Sequence, residues 1–149
     1  MQRRFSVRRA RVADLERILV IEHASFGDDA YNRNLFAEYH RLKGCLFLVA
    51  EGPGGVCGYA IVAAAPRAEL VSIAVAPRQR GRGAAQVLMA SILRRLRLRG
   101  IPRLDLTVKI SNRRARAFYE RYGFRKVRRL PGYYEDGADG VLMRLDLMQ

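Results

Sequence analysis

Arg80-Gly81-Arg82-Gly83-Ala84-Ala85 follows the apolar, β-branched run Leu70-Val71-Ser72-Ile73-Ala74-Val75 and opens a long helical pattern. Strand, tight basic glycine turn and helix start together gather main-chain donors at one point. The first turn of a helix has N–H groups without intrahelical partners. The aligned peptide dipoles add about half a positive charge there. Two glycines let a ligand approach the backbone closely, and two arginines add cationic charge. The chemistry this arrangement suits is the binding of a pyrophosphate.

Two common pyrophosphate sites are excluded. A P-loop ends in glycine, lysine and a hydroxyl residue, whereas Gly83 is followed by Ala84-Ala85. A dinucleotide-binding turn would place glycine at position 86, where the chain has Gln86, and would follow the first strand of its unit. Asp105 near the expected acidic position does not rescue that reading.

The elements that must position this turn are legible from periodicity and breakers. Phe5 to Arg9 predicts a strand. Asp14, as a cap or first-turn acid, precedes a helix carrying Leu15, Ile18, Leu19 and Ile21-Glu22, which Gly27-Asp28-Asp29 breaks. Leu35, Phe36, Tyr39 and Leu42 predict a second helix ended by Gly44. Cys45 to Glu51 and Val56 to Ala65 predict a hairpin around Gly52-Pro53-Gly54-Gly55, and Glu69 to Val75 a further strand. Ala84 to Arg99 is the clearest helix, with Val87-Leu88, Ser91-Ile92 and Leu96 as its apolar stripe and Gly100 and Pro102 as its stop. Arg103 to Ile110 predicts a strand, and Asn112 starts a helix with Ala115, Phe118, Tyr119 and Tyr122 on one face. Phe124 to Leu130 and Val141 to Leu147 predict closing strands around a loop from Pro131 to Gly140. The order βααβββαβαββ describes one mixed-sheet α/β domain spanning residues 1–149.

The bulk numbers agree. A chain of 149 residues, half of them apolar, can build one core. No apolar run approaches a membrane span, and the basic N-terminus lacks the apolar segment of a secretory signal. Cys45 and Cys57 lack metal-ligand spacing and read as buried thiols, so no metal is expected and a cytoplasmic location follows. The net charge of +14 admits two readings: an anionic ligand or partner, or arginine used as a general solvated cation. The arginines are dispersed along the chain, which favours the second.

Arg80-Gly81-Arg82-Gly83-Ala84-Ala85 resembles the Q/R-x-x-G-x-G/A motif of the GNAT superfamily of acetyltransferases. The stretch from Leu106 to Phe124 resembles that superfamily's second block, a strand followed by N-x-x-A-x-x-F-Y-x-x-x-G-F. The two motifs stand at the expected separation, and the likeness covers nearly the whole chain. Gly132-Tyr133-Tyr134-Glu135-Asp136-Gly137-Ala138-Asp139-Gly140-Val141-Leu142-Met143 is similar to the Tyr-Tyr loop of protein N-terminal acetyltransferases, the ribosomal-protein-alanine group above all, and Ser72-Ile73-Ala74-Val75 also fits them.

The resemblance implies transfer of an acetyl group from acetyl-CoA to a primary amine by direct attack. A protein N-terminus is the favoured acceptor. Backbone amides of Arg80, Gly81, Arg82, Gly83, Ala84 and Ala85 would hold the pyrophosphate, and backbone of Ile73, Ala74 and Val75 the pantetheine arm, as an added strand. Asn112 would contact the cofactor, cap its helix, or both. Tyr119 is the implied general acid, although its helical face would also suit plain packing. The ribosomal-protein enzymes carry a glutamate on the strand before the Asn motif, and this chain has Thr107 there. Glu69 is the substitute proton acceptor, matching the glutamate of the histone acetyltransferase branch, against a plain strand-end carboxylate or a water chain to solvent. The substrate groove would lie between Phe26 to Tyr31 and the Tyr133-Tyr134 loop. Asp28, Asp29, Glu135, Asp136 and Asp139 in these segments would attract an ammonium, unless they serve only turn chemistry.

Two other readings stay open at this level: an acetyltransferase of small amines, and a non-catalytic CoA sensor or basic nucleic-acid-binding domain. No aromatic and basic stacking motif of a known RNA module is present, which counts against nucleic acid. Monomer and homodimer are both compatible with the sequence.

Overall fold

A computed structural model describes residues 4–64 and 67–148. Its elements are β1 (Ser6–Arg9), α1 (Leu15–Phe26), α2 (Arg33–Arg41), β2 (Leu46–Gly52), β3 (Gly55–Ala63), β4 (Glu69–Val75), α3 (Ala84–Leu98), β5 (Arg103–Lys109), α4 (Arg113–Arg121), β6 (Arg125–Leu130) and β7 (Gly140–Asp146). The expected order is found, with short 3₁₀ turns at Val12–Asp14, Gly27–Asp29 and Pro77–Gln79 added between elements. The end of the expected β3 strand at Ala65 lies outside the described residues.

The seven strands form one sheet in the order β1-β2-β3-β4-β5-β7-β6. The first four make an antiparallel meander, and β5, β7 and β6 a second antiparallel unit. The two units meet where β4 and β5 run parallel, and there only Glu69 and Asp105 are partners. Beyond that pair the strands diverge and leave the rest of β4 with an open edge. The sheet is therefore one layer with a split in it.

Each face of the sheet has its own core. On one face Leu15, Ile18 and Ile21 of α1 and Phe36 of α2 pack on Phe47, Val49, Tyr59 and Ile61. On the other Leu88, Met89, Ile92 and Leu96 of α3 pack on Leu46, Leu48, Ala60 and Val62. Helix α4 lies on the same side, adding partly buried Phe118, Tyr119 and Tyr122. These are the apolar stripes that the 3.6-residue period predicts. Strand β6 is a sheet edge carrying Arg125, Lys126, Arg128 and Arg129, all exposed. Charge on an edge strand blocks pairing with another chain, which gives part of the basic excess a structural use.

One expected contact is different. Asp14 precedes α1, but its carboxylate accepts from Arg11 N at 2.7 Å and pairs with Arg8 at 2.8 Å instead of capping α1. Arg8 reaches Glu51 as well, so the acid ties β1 to the turn after it.

Gly58 of β3 sits behind the split. A Cβ there would stand 3.0 Å from Ala74 O and 3.3 Å from both Leu88 Cδ1 and Val75 Cγ2. A backbone oxygen cannot move aside as a flexible side chain does. Gly58→Ala is therefore expected to destabilise the protein by about 1–3 kcal/mol through overpacking, read as a lower urea midpoint at unchanged slope. An unchanged midpoint would show that β3 and β4 can separate freely.

Candidate active site

The split opens into a cavity of about 530 Å³. Its walls come from β4 (Leu70 to Val75), the loop and first turn of α3, the C-terminal half of β5, one face of α4, and the α1 end with the segment after it. Every wall traces to a local cause in the sequence.

Strand β4 carries a bulge. Ile61 pairs with Ser72 and Val62 with Leu70, so Val71 has no partner on β3. A bulge shifts the alternation of side chains and re-aims them. Ser72 and Ala74 consequently face the α1 side, with Ile73 and Val75 on the α3 side. The β5-facing edge of Ile73, Ala74 and Val75 has no strand partner, as expected for a strand that pairs with an extended ligand.

The loop after β4 is fixed by Arg80. Its guanidinium donates to Val75 O at 3.0 Å and to Ser25 Oγ at 3.0 Å, clamping the strand end to α1. Gly81 and Gly83 hold φ of 77° and 99°, left-handed values that glycine takes without strain. Gly83 is the N-cap of α3 and has no side chain to occupy the first N–H groups. Gly81, Gly83, Ala84, Ala85 and Gln86 all line the cavity at this helix end. An uncapped helix start beside a glycine turn is fitted to a diphosphate. Arg82, expected with the cradle, is exposed and is not among the cavity-lining residues.

Asn112 lines the cavity and its side chain accepts from Ala115 N at 3.1 Å, so it does cap α4. Tyr119, about two turns beyond Asn112 on α4, also lines the cavity. Its ring meets Phe118 and Phe124 edge-on, with centroids 5.6 and 5.7 Å apart. Burial pushes its phenol well above the ordinary tyrosine range, and nearby Tyr134 adds to this. The hydroxyl therefore keeps its proton at neutral pH. Thr107 also lines the cavity.

Glu69 is at the start of β4, with its side chain reaching solvent, and is not among the cavity-lining residues. Partial burial raises its carboxyl, with Asp105 across the parallel pair contributing less. The α1 face of the cavity instead presents Glu22, which is 1% exposed. Its carboxylate accepts from Tyr59 OH, from Ser72 Oγ at 3.0 Å and from Tyr31 N at 2.9 Å. Sequence reading placed Glu22 on α1 without a role. The available signal was position: it lies four residues after Ile18 and seven after Leu15, on the buried stripe.

The outer part of the cavity is built by Phe26, Tyr31 and Tyr134. Burial pushes the phenols of Tyr31 and Tyr134 up to about 12. Tyr133 does not line the cavity; it is 54% exposed and stacks edge-on against Tyr134 at 5.0 Å. The acidic residues of the two flanking segments are mostly neutralised. Lys109 pairs with Asp29 at 2.6 Å and with Asp136 at 3.0 Å, and lies 5.2 Å over the Tyr134 ring. Asp139 pairs with Arg129 and accepts from Gly132 N at 2.8 Å. Asp29, Asp136 and Asp139 thus brace loops, the turn role that the sequence left open beside attraction of an ammonium. Asp28 and Glu135 are exposed.

Among the described residues no group of His, Cys, Asp and Glu could hold a metal ion, and no helix is long and apolar enough to cross a membrane. Cys57 is buried and Cys45 half-buried, both as free thiols raised by burial.

Comparison with known proteins agrees with this geometry. Residues 12–124 match the acetyltransferase (GNAT) family. An N-alpha-acetyltransferase of Saccharolobus solfataricus is 31% identical over 95% of this chain and 92% of its own length. The crystal structure of Ard1 from Thermoplasma volcanium superposes with a TM-score of 0.91 at 27% identity, over 98% of this chain and 99% of that one. The ribosomal-protein-S18-alanine N-acetyltransferase of Escherichia coli gives 0.87 at 26% identity, over 97% and 95%. The chain belongs to the GNAT family of acetyltransferases. It is an N-acetyltransferase that uses acetyl-CoA.

Proposed function

We propose that this enzyme acetylates the α-amino group of protein N-termini. The observation that carries the reading is the Lys109 brace. By pairing with Asp29 before α2 and Asp136 in the β6–β7 loop, Lys109 closes two segments over the mouth of the split. Phe26, Tyr31 and Tyr134 then form a tyrosine-lined entrance leading to the bulge of β4. Such an entrance suits an extended chain end. The names of the relatives, which act on protein N-termini, support the same acceptor.

Acetyl-CoA supplies an activated acetyl thioester when bound. The amides at Arg80 to Ala85 fit its diphosphate, and the open edge of Ile73, Ala74 and Val75 fits the pantetheine arm. Asn112 borders the same cavity from the start of α4. Tyr119 Oη, which borders the cavity from α4 and carries its proton at neutral pH, donates that proton to the departing sulfur. A carboxylate on the α1 side of β4 takes the proton from the amine. Glu69 has the chemistry for it, and its position outside the cavity lining makes it a test case: Glu69→Gln is expected to change kcat only a few-fold.

The test of the acceptor is release of free thiol from acetyl-CoA with short peptides bearing free N-termini, set beside polyamines and single amino acids. Turnover with peptides supports the reading. Turnover with small amines alone would replace it. Lys109→Ala should raise the peptide KM about five-fold with kcat nearly unchanged, since solvent-screened pairs position more than they stabilise. An equal fall in kcat would mean that Lys109 reaches the reacting atoms.

A further inference from the structure

We propose that Glu22, acting through Ser72 Oγ, receives the proton that the acceptor amine gives up. The inference rests on the acetyl-transfer reading and supplies the base that Thr107 cannot provide.

Two carboxylates line the cavity among the described residues, Glu22 and Asp29. Asp29 is neutralised by Lys109 at 2.6 Å. Glu22 forms no ion pair with any described Lys or Arg. Instead it is solvated by three donors: Tyr59 OH, Ser72 Oγ and Tyr31 N. A carboxylate buried to this degree without a cation is costly unless hydrogen bonds or an incoming positive charge offset it. A substrate ammonium entering the cavity is such a charge.

The partners also fit a relay. Ser72 Oγ donates to Glu22 at 3.0 Å and Ser72 lines the cavity, so its hydroxyl can pass a proton to the carboxylate while taking one from an amine held there. Ser72 follows the unpaired bulge residue Val71 and precedes the open edge Ile73 to Val75. It therefore sits where the two substrates must meet. The other titratable groups facing Glu22 are Tyr59 from β3 and Tyr31 from the segment before α2, while Glu69 acts on Tyr31 from the start of β4. Burial and the Glu22 charge hold the Tyr59 proton in place, so Tyr59 orients the carboxylate and does not compete as a base.

The proton balance closes. The ammonium passes one proton to Ser72 Oγ as Ser72 passes its own to Glu22. The neutral amine then forms the N–C bond and the C–S bond breaks. Sulfur gains a proton from Tyr119, which recovers one from the acylated nitrogen through solvent. Glu22 finally releases its proton to water, so each turnover frees one.

The test uses the full chain, acetyl-CoA and a peptide with a free N-terminus. Glu22→Gln keeps size and the ability to accept from Tyr31 N, but cannot take a proton. It is expected to lower kcat about 10²-fold, the usual scale for general base catalysis, and to leave an acid limb that follows the acceptor amine alone. Affinity for acetyl-CoA, measured by calorimetry on the same sample, stays unchanged. A variant that keeps the acid limb with a kcat close to wild type overturns the proposal. So does transfer of the large loss to Glu69→Gln. Where Glu22→Gln lowers the melting temperature, Ser72→Ala decides, because it leaves the buried acid in place: a large fall in kcat with an acid limb that follows the acceptor amine supports the relay, and a wild-type rate and limb overturn it. Wild-type protein that binds acetyl-CoA without turning over any amine overturns the acetyl-transfer reading, and this inference with it.

Discussion

Tyr119→Phe is expected to lower kcat by about 10²-fold or more, the range found when a positioned acid is removed. The substitution keeps the ring and thus its edge contacts with Phe118 and Phe124. Stability and acetyl-CoA affinity should therefore stay close to wild type. What is lost is a single hydroxyl whose proton is held by burial. Steady-state rates paired with calorimetric binding separate the two effects. If kcat stays within a few-fold of wild type, Tyr119 is packing and the leaving sulfur takes its proton from water.

Gly83→Asp is expected to weaken acetyl-CoA binding by about 100-fold, equivalent to about 2.7 kcal/mol. Aspartate is a favoured N-cap, so its carboxylate would take the first N–H groups of α3 for itself. Those are the groups that otherwise meet the diphosphate. It would also put a negative charge in the cradle. The left-handed backbone at φ 99° strains any side chain, but aspartate tolerates that region better than most residues. Folding should thus bear a backbone strain of about 1–3 kcal/mol, while binding falls by about 100-fold. Gly83→Ala separates the causes, since it carries the strain without the carboxylate and should bind only slightly worse. Equal losses in both variants would assign the effect to backbone geometry.

The sequence made the frame of this site readable because its signals are local. Gly52-Pro53-Gly54-Gly55 marks the β2–β3 hairpin. Leu88, Ile92 and Leu96 recur at the helical period and form the buried stripe of α3. The glycine turn at Gly81 and Gly83 follows a strand and opens a helix, as its composition requires. What stayed hidden depends on partners far apart in the chain. Helical spacing turns Glu22 inward, but Tyr59 and Ser72, its partners, stand 37 and 50 residues away. The acids near Asp29 and Asp136 looked available to a substrate until the end of β5 brought Lys109 between them. Asp14 has cap chemistry, and Arg8 on a neighbouring strand diverts it. Sequence periodicity sets the face a residue occupies; the sheet's strand order decides which charges share that face.

The most direct test of the central claim is mass spectrometry of peptide pairs incubated with the purified chain and acetyl-CoA. Each pair shares one sequence and an internal lysine, and differs only in whether the α-amine is free or blocked. The account predicts one acetyl group, located on the α-amine, in the free member of each pair and none in the blocked one. Acetylation of neither member, or of the lysine in both, would contradict it.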